Sequence, residues 1–155
     1  MSQKNAILAV VAVLAIVLLL WLAYRSQHTL ESDLPERVVC ASQTEALLKA
    51  GPKAYPVLGS GSMAPFIPAA PAGQDPFKTI VAYAVTSDSD YNSITPGKLV
   101  IYRTPASPVG LSIHGAALQD SNGWIMSGLH NERSESWARV TPSNFVAIVS
   151  KVYVW

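Results

Sequence analysis

The sequence predicts a mainly β protein: one amino-terminal transmembrane helix, then a compact, mostly antiparallel β domain. Three observations carry this. Ala6 to Ala23 is an eighteen-residue run with no charge. Beyond it, short β-branched and aromatic runs alternate with Gly, Pro, Asn and Asp clusters. Helical patterning after the apolar run is confined to one short segment.

The apolar run, AILAVVAVLAIVLLLWLA, spans about 27 Å as a helix, close to the ~30 Å hydrocarbon core of a bilayer. Trp21 and Tyr24 stand where interfacial aromatic anchors stand. A cleaved secretory signal has a shorter apolar core and a small-residue cleavage site, whereas this run ends in Leu22 and then Tyr24-Arg25. An uncleaved anchor is therefore expected, with the lipid bilayer as a partner. Lys4 flanks one side and Arg25 and Arg37 the other, so flanking charge does not fix orientation. The division is a tail over 1–5, the anchor over 6–24, a stalk over 25–54 and the β domain over 55–155.

Within the stalk, SQTEALLKAG predicts a helix over 44–50. Ser42 and Glu45 form a capping box, and Gly51-Pro52 stops the helix. Strands are expected at Tyr55–Leu58, Thr79–Thr86, Lys98–Arg103, Ser112–Gln119, Gly123–Ser127 and Phe145–Val154. Asp120-Ser121-Asn122-Gly123 supplies a hairpin turn.

Composition narrows the function. The net charge is +1 with no basic cluster, which argues against nucleic acid. The single cysteine, Cys40, reads as a buried structural residue. His28, His114 and His130 lack metal-ligand spacing. Asp88–Asn92 resembles the start of a calcium loop but lacks its glycine and its closing glutamate. No metal and no cofactor are expected.

The segment Gly59–Pro68, GSGSMAPFIP, carries the chemistry. A serine nucleophile needs a base in reach and donors for the oxyanion formed on attack. Small neighbours let a substrate backbone approach, and prolines stiffen the turn that presents the serine. A plain Gly/Ser turn leading into a hydrophobic clamp has the same composition.

Ser-Gly-Ser-Met-x-Pro resembles the serine box of the signal peptidase I family of membrane-anchored serine peptidases. The resemblance continues in order from Tyr55 to Lys151. Tyr91–Tyr102 is similar to the family's Gly-Asp-hydrophobic strand. Ser112–Ala116 falls at the His-Arg-Val box of the endoplasmic-reticulum-type branch. Gly123–Asn131 falls at Gly-Asp-Asn-Asn, and Glu135 at that branch's acidic residue. The resemblance implies a divergent member, of phage or other origin. Ser62 would be the nucleophile, and Ser60 and the Ser62 N–H the oxyanion donors. His114 would be the general base, and Glu135 the acid that orients it, with Asp120 as the fallback acid. The bacterial branch uses a lysine base, for which Lys78 is the alternative. The implied substrate is an extended segment of a membrane-inserted precursor, cut after small residues, with the β domain on the extracytoplasmic side.

Three departures from the pattern stand out: Lys98 after Gly97, Gly115-Ala116 after His114, and Leu129 after Gly128. Lys98 and Leu129 favour the alternative of a non-catalytic relative, a membrane-tethered binding or structural module, whereas the intact Ser60, Gly61, Ser62 and Met63 disfavour it. Self-cleaving phage-repressor-type peptidases cut an Ala-Gly bond, and Ala50-Gly51 is present; helix capping already accounts for Gly51.

Overall fold

The computed structural model describes residues 12–19, 33–131 and 135–155, with the side chains of 135–137 left aside. Residues 12–19 are helical (α1). The rest of the expected anchor, 6–11 and 20–24, lies outside the described residues. Among the described residues no helix is long and apolar enough to cross a membrane.

An eight-stranded sheet dominates, with strands β1 Glu36–Val39, β2 Ala54–Leu58, β3 Ile80–Thr86 and β4 Leu99–Arg103. It continues with β5 Leu111–Asp120, β6 Gly123–Ser127, β7 Glu135–Val140 and β8 Phe145–Val154. The spatial order is β2-β3-β8-β4-β5-β6-β7, with β1 added on β8. All pairings are antiparallel except β1 with β8.

The ten-residue β8 joins two half-sheets. Phe145–Ile148 pairs with β4, and Val149–Val154 pairs with β3. Its sequence, FVAIVSKVYV, is apolar nearly throughout, as a strand covered on both faces must be. One core gathers Met63, Ile67, Leu99, Ile101, Val149 and Val152. The other gathers Val100, Tyr102, Trp124, Met126, Val140 and Ile148. Successive residues of β4 therefore serve opposite cores, as the two-residue period of a strand requires.

Helix α2, Gln43–Ala50, starts where its capping residues stand. Ser42 Oγ accepts the Glu45 N–H at 3.2 Å, and Glu45 Oε2 accepts the Ala41 N–H at 2.7 Å. It ends at Gly51, whose φ of 76° few other residues adopt and whose N–H donates to Leu47 O at 3.0 Å. Ala46 and Ala50 pack with Cys40 and Tyr83 into a third small core.

Two findings correct the sequence reading. Residues 36–54, expected in the stalk, belong to the β domain. β1 lies parallel to β8 with Glu36 opposite Lys151, their charges 2.7 Å apart, and α2 covers β3 and β8. β7 was not anticipated, because its first residue closes a charged run that reads as a loop. The calcium-like segment is a turn: Asp90 Oδ1 accepts the Ser93 N–H at 3.1 Å and caps a 3₁₀ turn over Tyr91–Ser93.

Candidate active site

The GSGSMAPFIP segment is a loop between β2 and β3, tied down at both ends. The Gly59 N–H donates to Thr79 O at 3.0 Å, and the Ala70 N–H donates to Gly59 O at 2.9 Å. A Cβ on Gly59 would run into the backbone nitrogen of Ala70, so only glycine permits this crossing. Gly61 turns the chain with φ 87°, and the Ala64 N–H closes the turn on Gly61 O at 3.0 Å. The Ala64–Pro65 peptide is cis. Met63 and Ile67, each 3% exposed, plug the first core. Ser62 is thus held one residue from a buried anchor and is itself half-buried.

A second brace comes from the segment after β6. The His130 N–H donates to Ser62 O at 3.0 Å. A Cβ on Gly128 would stand 2.5 Å from that same oxygen, so this approach also needs glycine.

His114 lies in β5, opposite Val100 of β4, and is 7% exposed. Its Nε2 is 3.0 Å from Ser62 Oγ. Its Nδ1 is 2.9 Å from the hydroxyl of Tyr102. Tyr102 pairs with Ser112, two residues before His114, so the two rings are diagonal neighbours on one sheet face. Ser60 Oγ lies 3.3 Å from Ser62 Oγ, and no described group accepts the Ser62 N–H.

A cleft of about 420 Å³ opens beside these groups. Tyr55–Leu58 of β2 forms one wall, and Leu111–His114 of β5 and the 106–109 turn form the other, with Ser60, Ser62 and His114 on its lining. Among the described residues, the strand edges in both walls are open. β2 ends the sheet, and β5 pairs with β6 only from Gly115 onward. Apart from the serines and His114, the lining is mainly apolar.

The structure therefore brings together Ser60, Ser62 and His114. It does not bring Lys78, whose side chain is 84% exposed and reaches Asp75 at 3.4 Å. Nor does it bring Asp120 to His114. Six residues farther along β5, Asp120 pairs with Arg139 and accepts the Asn122 N–H at 2.8 Å, so it cannot orient the imidazole. The Arg139 guanidinium and then the Asn122 N–H hold its carboxyl below the ordinary aspartate value. Glu135 begins β7 opposite Met126, and its side chain lies outside the described residues. Leu129 packs against the first core. The sequence reading missed Tyr102, which looks like one more core residue of LVIYR. Among the described residues no three His, Cys, Asp or Glu side chains gather as a metal site.

No family model, no curated protein and no solved structure matches the chain.

Proposed function

We propose that the chain is a membrane-anchored serine endopeptidase of the signal peptidase type. The observation that carries this reading is the 3.0 Å approach of His114 Nε2 to Ser62 Oγ at the mouth of an apolar cleft. His114 takes the hydroxyl proton as Ser62 Oγ attacks the scissile carbonyl. The Ser62 N–H and the Ser60 hydroxyl receive the oxyanion. His114 then returns the proton to the leaving amine, and water releases the acyl group by the reverse sequence.

An extended peptide fits between the open edges of β2 and β5, adding its main chain as a strand. The resemblance makes that peptide the cleavage region of a membrane-inserted precursor, cut after small residues. The apolar run over 6–24 would tether the domain to the bilayer, on its extracytoplasmic side. A second reading, a tethered binding or structural module without activity, is favoured by Leu129, which packs into the core where the family carries an aspartate.

The test is cleavage of a signal-peptide-bearing precursor in detergent by wild type, Ser62→Ala and His114→Ala. Cleavage after a small residue by wild type, lost in both variants, supports the peptidase. No cleavage of several precursors across pH 6–9 supports the binding module. Cleavage that survives His114→Ala removes His114 as the base.

A further inference from the structure

We infer that Tyr102 is the positioning residue of His114: its hydroxyl oxygen accepts the Nδ1 proton, which leaves Nε2 bare toward Ser62. The inference rests on the Ser62–His114 reading above and deepens it. It starts from a constraint of the ring. A neutral imidazole carries one N–H and one bare nitrogen, and the group at one nitrogen sets the state of the other. Only a bare Nε2 can take the Ser62 proton, so the ring's own proton must sit on Nδ1. Among the described contacts, the group at Nδ1 is the Tyr102 hydroxyl, at 2.9 Å.

The placement of Tyr102 is rigid. Its side chain is 0% exposed within the second core. It stands on β4 between Ile101 and Arg103, each paired with β5, and the core packed around its ring leaves it no open side to swing into. The register that sets Val100 opposite His114 and Tyr102 opposite Ser112 fixes the distance between the rings. Their centroids are 6.1 Å apart and the planes are tilted by 50°, so the contact runs through the hydroxyl rather than through stacking.

A carboxylate at this position could only accept and would impose the tautomer by its charge. A phenol can donate or accept. It imposes the competent tautomer only when its own hydrogen is directed away from Nδ1. A neutral phenol also leaves the imidazolium formed during attack without a counter-charge from this contact. The chemistry of Tyr102 is therefore geometric: it aims the ring and fixes the tautomer.

The test is ¹⁵N NMR of the full chain in detergent micelles with labelled histidine, above the histidine titration. The His114 signals are assigned by their loss in His114→Ala. The inference expects a protonated Nδ1 and a bare Nε2. In Tyr102→Phe, which keeps the ring's bulk, the population shifts toward the Nε2–H tautomer. Precursor cleavage is measured in parallel, and kcat is expected to fall about 10- to 100-fold with KM within about twofold, the loss of one buried hydrogen bond. A purely structural tyrosine would leave the tautomer unchanged in any folded variant. Nε2–H in wild type overturns the inference by itself, whether or not Tyr102→Phe folds. The expected tautomer shift without cleavage by any form sustains the Tyr102–His114 coupling and removes the peptidase reading.

Discussion

Gly128→Ala probes the brace behind Ser62 without touching any reacting group. The added Cβ would stand 2.5 Å from Ser62 O and 2.8 Å from Asn131 Nδ2. The oxygen is backbone and cannot rotate away. Carbon and oxygen settle at about 3.3 Å or more, so the two segments must part by roughly 0.8 Å. Overpacking of this kind costs about 1–3 kcal/mol. Parting also stretches the His130 N–H to Ser62 O bond, 3.0 Å in the native chain and worth about 1 kcal/mol. A total loss of about 2–4 kcal/mol follows. Gly128 has no positive φ, so none of this loss is dihedral strain. Gly110→Ala is the contrasting control: φ is 74° and nothing lies within 4 Å, so its cost is conformational alone, about 1 kcal/mol. Denaturant unfolding of the full chain in detergent, followed by tryptophan fluorescence, measures both. A Gly128→Ala variant as stable as wild type, or no worse than Gly110→Ala, would refute the close approach. Moving Ser62 should also reduce cleavage, whereas Gly110→Ala should alter it far less.

Further perturbations separate capping, charge and chemistry. Ser42→Ala removes the acceptor of the Glu45 N–H and should lower stability by about 1 kcal/mol in the same unfolding assay, with cleavage unchanged. Asp120 has a folded-state pKa below its ordinary value of 3.8, so its stabilising contribution is present above that value and is lost as pH falls through the lower folded value. Asp120→Asn should therefore flatten the stability profile below about pH 4 and leave the profile near neutrality parallel to wild type. Ser60→Ala removes one oxyanion donor and should lower kcat about 10- to 1,000-fold with little change in KM, measured by precursor cleavage. Lys78→Ala should leave cleavage unchanged, since its ammonium lies in solvent against Asp75.

What the sequence disclosed follows from where its information is local. The α2 cap is written in four residues, Ser42 to Glu45, and β6 and β8 were expected with the bounds found, because short apolar runs broken by turn residues mark them. β1 was not visible. ERVV begins with two charges and is mostly exposed, and it is a strand only because β8, more than a hundred residues later, offers an edge. The loop that presents Ser62 was legible as a small-residue turn with a hydrophobic clamp, and Met63 and Ile67 supply that clamp. The Tyr102 contact at His114 Nδ1 was not. Tyr102 faces it only through the pairing of β4 with β5, and no local pattern encodes a register.

The most direct measurement of the central claim needs no known substrate. The full chain in detergent is treated with a fluorophosphonate that reacts with activated serines, and the site is mapped by mass spectrometry. The account predicts phosphonylation at Ser62, lost in Ser62→Ala, strongly slowed in His114→Ala and unchanged in Lys78→Ala. An unmodified Ser62, or a rate in His114→Ala equal to wild type, would contradict it.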